Sequence, residues 1–117
     1  MNAPDETTYI VVLTTLPSAE EAREFVRRLL EERLIACGTV IGSATSVYRW
    51  EGAIEEASEA QVILKTRRDR WGRLQAAVRT LHPYDVPELV AVPVEIGLSA
   101  YLDWVNQETA TQGRGLE

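Results

Sequence analysis

The spacing of apolar positions changes several times along the chain, and each change marks a new predicted element. Tyr9–Leu13 is a continuous apolar, largely β-branched run, which is typical of a central strand buried on both faces. Ser18 and Glu21 then form a capping-box pattern that predicts the start of a helix. The apolar stripe of this helix repeats at spacings of three and four, at Ala19, Ala22, Val26, Leu29, Leu30 and Leu34.

A long hairpin is predicted next, with strands over Cys37–Trp50 and Ala53–Thr66 on either side of Glu51 and Gly52. Glycine adopts positive φ without steric cost, whereas glutamate resists it. We therefore expect a type I turn with Gly52 in the left-handed region, rather than a type I′ turn. The small residues of Gly42–Ala44 interrupt the first strand and predict a bulge or bend there.

The remaining pattern predicts a helix over Asp69–Leu81, a strand over Leu89–Val94 and a short helix from Ser99. The residue before a proline avoids helical geometry, so the second helix is expected to end at His82. Pro93 has no backbone N–H to donate, and the last strand is therefore expected at an edge of the sheet.

This order, βαββαβ with one extra helix, predicts an α+β fold, a ferredoxin-like sandwich with the extra helix at its C-terminal end. Two right-handed split βαβ units give a four-stranded antiparallel sheet with helices on one face. The first and third strands are then central, and the second and fourth lie at the edges. A single domain is expected over residues 9–108, with flexible tails at residues 1–8 and 109–117.

The predicted hairpin is too long for one small domain to cover. Each of its strands extends roughly 45 Å at about 3.3 Å per residue, whereas a typical strand is about 17–20 Å long. The first helix covers only roughly 24 Å. A cyclic homo-oligomer would pair the free edges and cover the apolar side chains of the overhanging ribbon, namely Val47, Tyr48, Trp50 and Ile54.

Composition narrows the classes of partner. The net charge of −6 argues against nucleic acid or an anionic membrane as the main partner. No apolar run reaches the roughly 20 residues that a membrane span needs, and the polar N-terminus does not resemble a signal peptide. The single cysteine excludes an intramolecular disulfide and favours a cytoplasmic location. No nucleophile elbow, P-loop or dinucleotide motif is found, so no enzymatic activity is predicted.

Five segments resemble the CutA family of divalent-cation-tolerance proteins, in the family's order and at its separations: Glu31–Cys37, Thr45–Gly52, Leu64–Thr66, Leu81–Glu88 and Tyr101–Val105. The resemblance implies a ferredoxin-like fold that assembles through its hairpins into a tight homotrimer, similar to the PII signalling proteins. It also implies an association with metal-ion tolerance, copper in particular, and no settled catalytic activity. The chain departs from the family pattern in its glycine placement at the bend and at Ala53, where a lysine is common.

Cys37 and His82, the single cysteine and the single histidine, are candidate ligands for copper or another divalent cation. A structural alternative stays open for each. Cys37 would pack at a helix-to-strand corner, and His82 would bond the last carbonyls of the second helix. Because these two residues cannot complete a tetrahedral site, carboxylates such as Asp85 or Glu88, or a neighbouring subunit, would have to contribute.

A second candidate site is an inter-subunit cleft formed by Tyr48, Trp50, Lys65, Tyr84 and Glu88. Trp50 lies near the hairpin tip and Lys65 at its far end, so they are expected to meet only across a trimer interface. With the histidine, this cleft would suit a small anionic or zwitterionic ligand. The alternative is that the aromatic residues are interface core and that Lys65 pairs with Glu88 structurally.

Two charged runs have simpler interpretations. An anion site at the start of the second helix is conceivable, but a solvated face is favoured for its arginines, Arg67, Arg68, Arg70 and Arg73. The same interpretation is favoured for the acidic run of Glu55, Glu56 and Glu59.

The combined hypothesis is a trimeric cytoplasmic protein linked to divalent-cation tolerance, acting as a metal- or small-ligand-binding signalling module. One alternative is a trimeric scaffold whose metal binding is incidental. Another is an enzyme that uses an interface cleft around His82, Lys65 and Glu88.

Overall fold

The computed structural model describes residues 8–110 and confirms the predicted order of elements. These are β1 (Tyr9–Leu16), α1 (Ala19–Glu31), β2 (Cys37–Trp50), β3 (Ala53–Arg67), α2 (Trp71–Leu81), β4 (Val90–Pro93) and α3 (Ser99–Glu108). A 3-10 turn, Arg68–Arg70, precedes α2. Most of the two predicted tails lies outside the described residues. Of the predicted C-terminal tail, Thr109 is described: it is fully buried, and its hydroxyl donates to the Val105 carbonyl across 2.8 Å.

The four strands form one antiparallel sheet in the order β2-β3-β1-β4, with β1 and β3 central as predicted. Alternate residues of the central strands, such as Val12 and Leu64, are fully buried against a core that includes Leu29 of α1 and Leu74 of α2. Val11 and Lys65, on the opposite face, are only partly covered. The expectation that β1 is buried on both faces is therefore wrong for the single chain.

Helix α1 begins as predicted, because the Ser18 hydroxyl accepts a hydrogen bond from the Glu21 N–H across 3.1 Å. Its buried stripe differs at two positions. Phe25, which the predicted stripe omitted, is buried, whereas Leu30 is exposed. A residue next to Leu29 in sequence lies about 100° further round a helix of 3.6 residues per turn. Leu30 therefore leaves the core, while Phe25 is on the same side as Leu29.

The hairpin turn differs from the predicted type. Trp50 pairs directly with Ala53, so Glu51 and Gly52 form a two-residue loop. Their φ values are 49° and 84°, which are both positive and define a type I′ turn. The expected type I turn is therefore wrong. A type I′ turn matches the right-handed twist of the strands, and this match outweighs the steric preference of Glu51.

A β-bulge in β2 decides which side chains share a face of the hairpin. Ile41 pairs with Gln61 and Ala44 with Glu59, so two residues of β2 oppose one of β3. Ser43 takes a φ of 62°, and the predicted interruption is confirmed. Because side chains alternate between faces, this extra residue reverses the alternation of β2 beyond the bulge. Tyr48 consequently shares a face with Glu59, opposite to α1 and α2.

Candidate functional site

A cleft of about 560 Å³ lies between this hairpin face and the corner at residues 84–88 that follows α2. The structure brings together four of the five residues predicted for a cleft: Tyr48, Trp50, Tyr84 and Glu88. All four residues belong to a single chain. The volume of the cleft is within the range of about 300–1,000 Å³ that is usual for small-molecule sites.

His82 connects the corner at residues 84–88 to the end of β1 through hydrogen bonds of its ring. Helix α2 ends at His82, which takes the extended φ and ψ of −78° and 137° that a residue before proline favours. Its Nδ1 accepts a hydrogen bond from the Tyr84 N–H across 3.1 Å. That bond makes Nε2 the protonated nitrogen, which donates to the Thr15 carbonyl across 2.7 Å. The imidazole of His82 therefore does not bond the last carbonyls of α2, and the expected capping role of the ring is wrong; only the backbone N–H of His82 donates to α2, at the Val78 carbonyl.

Burial lowers the pKa of His82, although the hydrogen bond to Thr15 and the nearby charge of Glu59 act in the opposite direction. The ring also packs edge-on against Phe25, with 5.6 Å between ring centroids, and lies 4.9 Å from the Tyr84 ring. Both ring nitrogens are occupied by the protein. A metal ion would have to break one of these two hydrogen bonds.

Glu59 is the central carboxylate of the cleft, although the sequence suggested only a solvated charge. The Tyr84 hydroxyl donates to Glu59 Oε2 across 2.6 Å, and the Ser46 hydroxyl donates to Oε1 across 2.7 Å. Burial, followed by this bond to Glu59, raises the pKa of Tyr84, so its hydroxyl stays protonated. Side chains alternate between the two faces of β3, so Glu59 points away from the face on which Ala60 is buried. The bulge that brings Ser46 beside Glu59 is harder to infer from sequence.

Lys65 lies in a different part of the molecule. It is six residues along β3 from Glu59, roughly 20 Å at about 3.3 Å per residue. Its Nζ is 5.9 Å from the centroid of the Tyr101 ring, and its cross-strand partner is Cys37. The single chain therefore contains no Lys65–Glu88 ion pair among its described residues, and a role for Lys65 in the cleft stays a prediction about neighbouring subunits.

Cys37 is half-buried, and its Sγ lies 3.7 Å from the Tyr101 hydroxyl. Burial and the contact with Cys37 raise the pKa of Tyr101 to about 12. His82 is far from this pair, because it bonds Thr15, whose partner on β3 is Gln61 rather than Lys65. Within residues 8–110, no group of three or more His, Cys, Asp or Glu side chains is arranged to hold a metal ion. A metal role for Cys37 and His82 stays a prediction.

The charged side chains described in the lining of the cleft are all acidic. The described residues that line it include four carboxylates, Glu55, Glu59, Asp85 and Glu88, and no lysine, arginine or histidine. Among the described residues, an anionic ligand would therefore find no basic side chain in the lining of the cleft. The solvated face expected for the arginines at the α2 start is wrong for two of the four: Arg67 donates to Asn106 Oδ1 across 2.8 Å, and Arg70 donates to the Thr109 carbonyl across 2.8 Å. They tie α3 to the sheet.

The fold and the site define a ferredoxin-like α+β domain whose long, bulged hairpin forms one wall of an acidic, aromatic cleft. Residues 10–108 match the family model described as CutA1 divalent ion tolerance protein. The chain belongs to this family. In the described residues, no helix is long and apolar enough to cross a membrane.

Similar proteins agree with this assignment. The divalent-cation tolerance protein CutA of Thermus thermophilus is 44% identical over 85% of this chain and 96% of its own length. The crystal structure of divalent ion tolerance protein CutA1 from Ehrlichia chaffeensis has a TM-score of 0.86 at 33% identity, and covers 92% of this chain and 100% of that one. A structure of the periplasmic divalent cation tolerance protein CutA from Archaeoglobus fulgidus has a TM-score of 0.84 at 36% identity, covering 87% and 99%.

Proposed function

We propose that this chain is the subunit of a homotrimer that binds a small ligand in the cleft and acts as a signalling module in divalent-cation tolerance. The single observation that carries the proposal is the cleft itself, which joins the hairpin to the corner after α2. An internal hydrogen-bond network holds its floor, so the site is largely preformed. A preformed concave site with aromatic walls is what a small-molecule receptor needs.

The shape of the chain supports the assembly. Its dimensions are 51 × 28 × 22 Å, and its radius of gyration is 15.7 Å, against about 13 Å for an ordinary domain of this size. Ile54 and Val47, on the hairpin face opposite the cleft, are 69% and 61% exposed. Large apolar side chains grouped at a protruding element usually mark an interface. The outer edge of β2 also has no partner strand among residues 8–110.

Light scattering at micromolar concentration tests the assembly, and we expect three times the mass of one chain. Ile54→Lys should lower the mass, because an interface that buries Ile54 would then bury an unpaired charge. Glu24→Lys, which places a lysine on the exposed side of α1, is the matched control and should leave the mass unchanged. A wild-type protein with the mass of a single chain would rule out the trimer.

Thermal-shift measurement against a library of small metabolites tests ligand binding, because a ligand that binds only the folded state raises the melting temperature. Compounds that bind the cleft should lose their effect in Trp50→Ala. A library in which no compound of any charge raises the melting temperature would count against the receptor role and favour the scaffold.

Copper is the metal to test, since a half-buried thiol is a soft ligand. Cu(I) and Cu(II) titrations should show binding that Cys37→Ser weakens. Affinity no better than millimolar, or binding unaffected by that change, would remove copper from the proposal and leave the receptor role in place. The single cysteine supports a cytoplasmic location, which fractionation of the native host would test.

A further inference from the structure

We propose that the ligand of the cleft is a small organic ammonium ion, with a cationic head and an apolar body. This inference rests on the proposed receptor function and specifies the chemistry of the ligand. Three features of the site carry it: aromatic walls, uncompensated carboxylates and a volume too large for a bare ion.

The walls are the rings of Tyr48, Trp50 and Tyr84. Trp50 is 52% exposed and Tyr48 is 41% exposed, so both rings present surface to the cleft in the single chain. Aromatic faces carry partial negative charge and attract cations within about 6 Å of the ring centre. The same faces repel anions, which separates this site from one for a phosphate or a carboxylate.

The carboxylates of the cleft have no ion-pair partner in the part of the chain that the structure describes. No ion pair among residues 8–110 involves Glu55, Glu59, Asp85 or Glu88. Both oxygens of Glu59 accept hydrogen bonds from neutral hydroxyl groups, which orient the carboxylate without cancelling its charge. An incoming cation would therefore find an oriented negative group in the same cleft as the aromatic rings.

The size and spread of the site favour an organic cation over a metal ion. The cleft has about 560 Å³, and its acidic side chains do not form a group of three that would hold a metal ion. The rings can cover an apolar body, whereas a hydrated divalent ion would gain little from them. A basic side chain from a second copy would compete for the same charges, and the absence of ligand binding described below would reveal it.

Calorimetric titration of the full chain in phosphate buffer tests the proposal with three probes of similar size. Choline is the cation, 3,3-dimethylbutan-1-ol is its neutral carbon isostere, and glycine betaine adds a carboxylate. We expect choline to bind at least about tenfold more tightly than either of the others, and added salt to weaken its binding.

The variants separate the two contributions of the site. Trp50→Leu keeps apolar bulk but removes the aromatic face, and Glu59→Gln removes the oriented charge; each should weaken choline binding by about tenfold. Glu55→Gln provides a second charge variant at an exposed position, in case Glu59→Gln disturbs the fold. Glu56→Gln is the matched control on the opposite face of β3, and its affinity should equal that of the wild type.

Equal binding of the neutral isostere or of betaine would overturn the proposal, and so would the absence of saturable choline binding. Unchanged choline affinity in both Trp50→Leu and the charge variants would also overturn it, because the cation would then bind elsewhere. The proposed function fails separately: if an anionic or neutral metabolite stabilises the trimer and Trp50→Ala abolishes the effect, the receptor role stands and only the ammonium specificity is lost.

Discussion

The hydroxyl of Tyr84 donates a hydrogen bond to Glu59 across 2.6 Å, and this bond joins the corner after α2 to the middle of β3. The two residues are 25 positions apart in sequence and belong to different walls of the cleft. Burial together with this bond raises the pKa of the phenol, so the donor persists throughout the physiological pH range. The cleft therefore depends on a contact that no local sequence pattern specifies.

Tyr84→Phe should lower the free energy of unfolding by about 1–2 kcal/mol, because a hydrogen bond to a charged acceptor contributes about that much where it is partly screened by water. Urea unfolding at one fixed protein concentration measures the loss. Tyr48→Phe is the matched control, since no hydrogen bond of the Tyr48 hydroxyl is found among the described residues, and its midpoint should not move. Equal losses in the two variants would show that the Tyr84–Glu59 bond adds nothing.

The sequence pointed to four of the residues that line this cleft, although it was expected to form between subunits. Tyr48, Trp50, Tyr84 and Glu88 could be selected because aromatic and acidic residues at strand ends and corners are candidates for binding. Glu59 was missed, since its role follows from the bulge that reverses the alternation of β2 and brings the Ser46 hydroxyl to its carboxylate. Small residues in the sequence indicate where a bulge lies. Which face of the sheet the side chains beyond the bulge point to depends on how the two strands pair.

Glu51→Asn should raise the free energy of unfolding by about 1 kcal/mol or less, because asparagine tolerates the positive φ of 49° at this position better than glutamate does. Denaturant titration compares the midpoints. Glu56→Asn makes the same chemical change at a strand position and should give no gain. A lower midpoint for Glu51→Asn would mean that the Glu51 side chain makes a favourable contact in the assembly.

The elements of the fold were largely predictable, whereas their finer geometry was not. Apolar β-branched runs and turn residues located the strands, and apolar spacings of three and four located the helices. The proline of β4 marked an edge strand correctly. The turn type was misjudged because strand twist, a property of the whole ribbon, decided against the local preference of Glu51. Leu30 was wrongly expected to be buried, because spacings of three and four select more residues of α1 than one face of the helix can bury.

Gly38→Ala should destabilise the fold by about 1–3 kcal/mol through overpacking. A Cβ at this position would lie 2.7 Å and 2.8 Å from the two γ-carbons of Val26 and 3.0 Å from Leu64 Cδ2. Adding Val26→Ala should recover part of the loss, which a double-mutant cycle measures as a favourable coupling. Gly72→Ala is the control in α2, where an added Cβ meets no atom of the described residues within 4 Å, and it should stabilise by about 0.5–1 kcal/mol. Similar effects at both glycines would contradict the packing argument.

The single histidine gives the fold a pH dependence on the acid side. The folded chain holds the pKa of His82 below its usual 6.5, chiefly because the ring is buried. As the pH falls through 6.5 the unfolded chain therefore takes up the proton first, and the free energy of unfolding declines until the folded pKa is reached. The contribution of His82 is fully present above pH 6.5, and its slope in the window below is at most about 1.4 kcal/mol per pH unit.

NMR titration of the His82 ring protons measures this shift directly, because the chain contains no other histidine. The midpoint should lie below 6.5, and Glu59→Gln should lower it further, since the charge of Glu59 is one of the influences that raise the pKa. Glu56→Gln removes a carboxylate from the opposite face of β3 and should leave the midpoint within error of the wild type. A midpoint above 6.5 would mean that an acidic neighbour outweighs burial at this corner, and the stability of the fold would then increase as the pH falls from that midpoint to 6.5. A midpoint at 6.5 would mean that His82 gives the fold no pH dependence.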